Sequence, residues 1–183
     1  PRSTLDRSSA ASDVYKRQAT YDVAPKVFKE LGAEIIVLSN QPDGTNINKN
    51  CGSTDIKLLQ KEVIKNKADF GIAFDGDGDR LIFVDENAIE LNGDDILYVL
   101  ARDKFENQIT LGSKGIVGTI MTNKGLEISL AKMGVDLIRT DVGDRHVLQK
   151  LEELNWDLGG EQSGHIISLD SSNYLIKPRN ASF

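Results

Sequence analysis

From Tyr21 onward the chain alternates short apolar segments with polar turns. Val23, Val27, Phe28 and Leu31 recur at helical spacing, and Gly32 closes that segment. Glu34 to Ser39 is a β-branched run that predicts a strand. Gln41 to Ser53, rich in Asn, Gly, Pro and Asp, predicts a long loop. Thr54 is placed to cap a helix whose inner face is Ile56, Leu59 and Val63. Asp69 to Phe74 and Leu81 to Asp85 predict two strands around an acidic turn. A helix follows, from Asp94 or Asp95 through about Leu100. Residues 102–113 are charged and polar, which predicts a domain boundary there.

A second series has the same rhythm. Gly115 to Ile120 predicts a strand, and Met121-Thr122-Asn123 turns into a helix with Leu126, Leu130 and Met133 inside. Val135 to Arg139 predicts the next strand, and a helix from Gly143 onward turns Val147, Leu148, Leu151 and Leu154 inward. Trp156 to Gly159 and Ile166 to Leu169 predict strands flanking Gly160-Glu161-Gln162-Ser163-Gly164-His165. Leu31-Gly32-Ala33-Glu34-Ile35-Ile36 is echoed by Met133-Gly134-Val135-Asp136-Leu137-Ile138, a faint internal repeat. The fold class expected is α/β: two consecutive domains of mixed sheet with helices, at 19–103 and 104–170, each incomplete at a chain end.

The ends break this pattern. Pro1 to Gln18 lacks periodicity, and Asp13-Val14-Tyr15-Lys16-Arg17-Gln18 resembles a translated sequencing adapter. That segment is expected to be extraneous and to pack against little, and residues 171–183 are read as a divergent tail. Charge and cysteine usage narrow the function classes. A net charge of −6 argues against a general nucleic-acid surface. No apolar run approaches the ~20 residues of a membrane span. The single Cys51 allows no intrachain disulfide, which fits a cytoplasmic protein.

The strongest chemical signal is Phe74-Asp75-Gly76-Asp77-Gly78-Asp79-Arg80. Asp75, Asp77 and Asp79 repel one another unless a cation sits among them. Carboxylates at this spacing in an extended loop can converge on one hard cation such as Mg²⁺. Arg80 adds a fork suited to a phosphate beside it. Three rivals compete: a solvated acidic turn, a calcium loop with Glu86 at its twelfth position, and a phosphatase whose Asp75 attacks phosphorus. The calcium loop needs glycine where Arg80 stands and helices on both flanks. The phosphatase class has Thr or Val where Asp79 stands.

In the second glycine-rich loop, Glu161 and Ser163 can hydrogen-bond vicinal hydroxyls, and His165 follows. A plain polar turn is the competing reading. Gly143-Asp144-Arg145 opens a helix, where backbone N–H groups favour phosphate. Arg145 could equally pair with Asp144 or Glu152, and Asn123-Lys124 invites the same two readings.

Taken together, the acidic loop, the loop around Glu161 and Ser163, and Val142-Gly143-Asp144-Arg145 resemble the α-D-phosphohexomutase superfamily. Asn46 to Thr54 and Gly118 to Glu127 bring the bacterial phosphoglucosamine mutases nearest, with phosphomannomutase/phosphoglucomutase the alternative. The resemblance covers roughly residues 19–170. It implies most of the second and much of the third of four domains, without the first, which bears the phosphorylated serine, or the fourth, which grips the substrate phosphate. This chain is therefore not expected to be active alone. It implies Mg²⁺ on Asp75, Asp77 and Asp79, with Arg80 as the catalytic residue present. Substrate contacts would come from Glu161, Ser163, His165, Gly143, Asp144 and Arg145. The implied reaction interconverts glucosamine 6-phosphate and glucosamine 1-phosphate through a bisphosphorylated sugar. The expected partner is a phosphorylated amino sugar, in a parent enzyme able to dimerise.

Overall fold

The computed structural model describes residues 9–13, 20–39, 51–74, 78, 81–106 and 115–169. It divides into two units, Pro1–Leu91 and Asn92–Phe183. The division falls before the polar stretch 102–113, where the boundary was expected. The reason lies in α3 (Gly93–Glu106), whose Leu97 and Ala101 are fully buried in the second unit's core. The stretch 102–113 therefore begins as the polar end of a helix, not as a linker.

The first unit runs β1 (Ser9–Asp13), α1 (Thr20–Glu30), β2 (Glu34–Leu38), α2 (Lys57–Asn66), β3 (Phe70–Phe74), β4 (Leu81–Asp85) and β5 (Glu90–Leu91). Its sheet order is β2-β1-β3-β4-β5. The first strand pairs in parallel with β2 and β3, so it is internal to the sheet. For Ser9–Asp13 this overturns the expectation that residues 1–18 pack against little; the rest of that segment lies outside the described residues. The slot between two parallel strands is filled by backbone N–H and C=O groups, which serine and alanine supply as well as valine does.

Leu59 and Val63 of α2 are fully buried against Ala73, Ile82 and Val84. Burying each contributes about 1.5–3 kcal/mol. Thr54 does not cap this helix. The cap position is Ile56, without a side-chain hydrogen bond, and Thr54 lies in the preceding turn. In α1 the apolar stripe is not the buried one, because Val23, Val27 and Leu31 are exposed while Ala24 is buried.

The second unit continues from α3 with β6 (Gly115–Thr119), α4 (Lys124–Lys132), β7 (Asp136–Thr140), α5 (Asp144–Leu154), β8 (Leu158–Gly160) and β9 (Ile166–Ser168). Its sheet order is β7-β6-β8-β9, with β6 parallel to β7 and β8, and β9 antiparallel to β8. Every residue of β6 is buried. Leu97, Leu126, Leu130 and Leu158 pack with Ile116. Val147 and Leu151 of α5 pack with Val117, and Trp156 lies against them. Ile116 and Val117 are neighbours on β6, so they point to opposite faces, and helices cover both.

The two units share one topology. In each, the first strand is flanked by the second and third, and the fourth returns antiparallel to the third. Gly32 and Gly134 occupy equivalent helix-to-strand turns, both at positive φ (+89° and +74°). The faint sequence repeat is thus a structural one. Among the described residues no helix is long and apolar enough to cross a membrane.

Candidate functional site

In an open parallel sheet, ligands are met beyond the carboxyl ends of the strands, where the strand order reverses. The second unit has such a point. From β6 the chain moves to β7 on one side, then returns past β6 to β8 on the other. Three turns leave the strands at that edge: Ile120–Asn123 after β6, Asp141–Gly143 after β7, and Glu161–His165 after β8.

The Glu161–His165 turn joins β8 to β9 across the pair Gly160↔Ile166. Glu161 N–H donates to the His165 carbonyl (2.9 Å), and Gly164 N–H donates to the Glu161 carbonyl (3.0 Å). Glu161 is only 7% exposed. Its Oε1 accepts from Gly143 N–H at 2.8 Å, and its Oε2 lies 3.2 Å from His165 Nδ1. One carboxylate therefore ties the turn after β7 to the turn after β8. Ser163 Oγ is 3.3 Å from the same Nδ1. Serine and glutamate share one ring nitrogen, so this is not the two-nitrogen relay of a hydrolase triad.

Four of the residues expected at a sugar site, Glu161, Ser163, His165 and Gly143, are thus brought together. Asp144 and Arg145 open α5 beside them and are exposed. Asp144 Oδ1 accepts from Arg145 N–H at 2.7 Å. Among the described residues the Arg145 guanidinium has no carboxylate within salt-bridge distance, which leaves it available to an anion. Lys124, by contrast, is paired with Glu127. That ammonium, and after it the Arg139 guanidinium, holds the Glu127 carboxyl below its ordinary range.

Asp75, Asp77, Asp79 and Arg80 lie outside the described residues, but the frame around them is described. Phe74 pairs directly with Leu81, so six residues, 75–80, connect β3 to β4. Among them Gly78 has φ +73°. Strand flanks exclude the calcium loop, which requires helices. Among the described residues no group of three or more His, Cys, Asp or Glu could hold a metal.

Three residues that the sequence did not single out for the site hold the turns after β6 and β8. Arg139 donates from Nη1 to the carbonyls of Thr119 (3.1 Å) and Thr122 (2.6 Å), and from Nη2 to Glu127 (2.9 Å). Asp94 is buried, and its Oδ2 accepts from both Asn123 N–H and Asn123 Nδ2, each at 2.9 Å. Burial pushes the Asp94 carboxyl above its usual value, against the pull of those hydrogen bonds. Gly93 N–H donates to the Gln162 carbonyl at 3.0 Å. A Cβ on Gly93 would fall 1.9 Å from the Glu161 carbonyl oxygen, so no other residue fits there without moving the loop. The available signals were an arginine ending an apolar strand and an Asn-Gly-Asp-Asp helix start, both of which read as ordinary surface chemistry.

Comparison with known proteins agrees with this geometry. Residues 18–90 match the family model described as phosphoglucomutase/phosphomannomutase, alpha/beta/alpha domain II, and residues 92–175 match that of domain III. A phosphoglucosamine mutase of Aliivibrio fischeri (strain MJ11) is 55% identical over 152 residues, which are 83% of this chain and 34% of that protein. The chain thus spans about a third of the length of such relatives. A phosphoglucomutase/phosphomannomutase family protein from Burkholderia thailandensis superposes with a TM-score of 0.79 at 23% identity, covering 92% of this chain and 36% of that one. An Aspergillus fumigatus N-acetylphosphoglucosamine mutase, solved with GlcNAc-6P and magnesium, gives 0.61 at 20% identity, covering 93% and 39%. The two family models divide the chain where the structure does, between residues 90 and 92. The chain belongs to the phosphoglucomutase/phosphomannomutase family and carries that family's second and third α/β/α domains in order.

Proposed function

We propose that the chain supplies the metal loop and the sugar-recognition loop of a cytoplasmic phosphoglucosamine mutase. Its partner would be a phosphorylated amino sugar, not nucleic acid or membrane. The observation that carries the reading is the Glu161 carboxylate, buried yet joined to Gly143 N–H and to His165 at the carboxyl ends of parallel strands. Two carboxylate oxygens offer about four acceptor sites, so hydroxyls of a sugar can still be received beside these bonds. Ser163 adds a hydroxyl that donates or accepts, and Arg145 adds a positive charge at the start of α5.

The residues present fit Mg²⁺. Three aspartates within a turn closed by Phe74↔Leu81 provide hard oxygen donors confined to a short span. Asp75, Asp77 and Asp79 would hold the ion, which when bound supplies charge neutralisation at a phosphoryl oxygen. Arg80 would hold a phosphate or sugar oxygen nearby. The Aspergillus fumigatus protein, solved with a sugar phosphate and magnesium, supports the pairing of these two ligands. Glu161 and Ser163 orient the sugar and allow it to turn between two half-reactions.

The test is turnover of glucosamine 6-phosphate by a full-length phosphoglucosamine mutase carrying this sequence. Glu161→Ala should lower kcat/KM about 10- to 200-fold, the worth of a charge-assisted hydrogen bond. A matching loss with an analogue lacking the bound hydroxyls would show that Glu161 supports the loop and does not read the sugar.

A further inference from the structure

We propose that Asp94, at the start of α3, is a positioning residue that holds the Ile120–Lys124 turn in register with the Glu161–His165 turn. This rests on the reading of those turns as the sugar-phosphate site.

Asp94 is 1% exposed, and its Oδ1 is buried with no hydrogen-bond partner among the described residues. A carboxylate is an expensive group to bury half-satisfied. An ordinary helix start needs only a serine or an asparagine there. Moreover, α3 is capped by its neighbours: Asn92 Oδ1 accepts from Asp94 N–H (2.8 Å), and Asp95 Oδ2 accepts from Asn92 N–H (2.9 Å). The Asp94 side chain is therefore not needed for its own helix.

Its bonds go elsewhere. Oδ2 takes both the backbone and side-chain N–H groups of Asn123, a residue 29 positions away. Asn123 in turn caps α4, with its Oδ1 accepting from Leu126 N–H at 2.7 Å. The residue before Asp94 binds the other turn, through Gly93 N–H to the Gln162 carbonyl. Two consecutive residues thus grip two of the three turns at the sheet's carboxyl edge. Glu161 grips the third through Gly143 N–H. Arg139 closes the arrangement on the far side of the first turn.

Removing the Asp94 carboxylate frees Asn123 to rotate and lets the Ile120–Lys124 turn drift. A displacement on the order of 1 Å in a positioned site can cost about 100-fold in rate. The amide oxygen of asparagine at 94 still accepts from Asn123, so that variant should keep most of the geometry.

The experiment measures kcat and KM for glucosamine 6-phosphate in the full-length enzyme. It compares wild type, Asp94→Ala, Asp94→Asn and Glu161→Ala, and Trp156 fluorescence confirms folding. Asp94→Ala should lose about 10- to 100-fold, chiefly in kcat, and Asp94→Asn should return to within about 5-fold of wild type. Amide exchange at Asn123 and Leu126 should quicken in Asp94→Ala and not in Asp94→Asn. Should Asp94→Ala not fold, Asp94→Ser takes its place, since its shorter side chain cannot reach Asn123. Wild-type kinetics in Asp94→Ala or Asp94→Ser, with Glu161→Ala impaired, would overturn the proposal alone, as would equal impairment of Asp94→Asn and Asp94→Ala. Unchanged activity in Glu161→Ala would overturn the reading of the site, and the proposal with it.

Discussion

The β3–β4 hairpin of the first unit and the β8–β9 hairpin of the second hold the same place in the same topology. One is closed by Phe74↔Leu81 around three aspartates and an arginine. The other is closed by Gly160↔Ile166 around a single carboxylate and a histidine. They settle their charge differently. Glu161 is answered from within the protein, by Gly143 N–H and His165. By sequence, three aspartates beside one arginine carry a net negative charge, which the proposed Mg²⁺ would offset. On the function proposed above, this duplicated frame carries one turn for metal and one for recognition.

That division of labour breaks most sharply at Asp77. Asp77→Ala in the full-length enzyme removes one of the three proposed Mg²⁺ ligands, and metal-borne charge stabilisation amounts to several kcal/mol. Mg²⁺-dependent turnover should fall by about three orders of magnitude. Titration calorimetry on the same variant should show Mg²⁺ affinity lost. Near-normal turnover would place the metal elsewhere.

The two cores can be set against each other next. Leu59 and Leu151 are both fully buried, one on α2 of the first unit and one on α5 of the second. Either Leu→Ala change should cost about 2–5 kcal/mol. Trp156, the chain's single tryptophan, packs beside Leu151. In denaturant titrations its fluorescence should follow Leu151→Ala directly. An equal shift of that signal with Leu59→Ala would mean that the two units unfold as one.

A smaller effect separates recognition from metal binding. Glu161→Ala, expected to lower kcat/KM by the 10- to 200-fold given above, should leave Mg²⁺ affinity unchanged when both are measured on one preparation. A parallel loss of metal would erase the distinction between the two hairpins.

How much of this was legible in the sequence depended on how local each signal was. Strands, helices and both hairpin turns followed from periodicity, because each is decided by a few neighbouring residues. The repeat around Gly32 and Gly134 was visible for the same reason. The domain boundary was not, because α3 carries its buried Leu97 and Ala101 toward partners that come later in the chain. Ser9–Asp13 was misread because an internal parallel strand is selected by its slot and not by its side chains. Of the site, Glu161, Ser163 and His165 were found together because they share one turn. The bond from Glu161 to Gly143 and the bond from Asp94 to Asn123 join residues 18 and 29 positions apart, and no spacing rule reaches that far.

The smallest expected effect tests whether the buried carboxylate of the second unit behaves as its surroundings require. Burial raises the Asp94 pKa above its ordinary carboxylate value, while Asn123 and the Arg139 charge pull the other way. The folded state therefore binds this proton more tightly than the unfolded state does. By linkage, stability falls with rising pH wherever the folded state holds more protons. Well above the raised pKa, both states are ionised and the burial cost is felt in full. As pH drops through that value the folded state takes up its proton first, and stability rises. Well below the ordinary carboxylate range both states are protonated, and Asp94 adds no further slope. Other carboxylates oppose this. Glu127, held low by Lys124 and then Arg139, loses its contribution as pH falls, so the total curve hides the effect. The difference between wild type and Asp94→Asn isolates it. Urea midpoints followed by Trp156 should show wild type gaining on Asp94→Asn as pH falls toward the ordinary carboxylate range, with the gap constant at neutral pH and above. A difference that stays flat across the acidic range would mean that Asp94 is solvated in the folded protein.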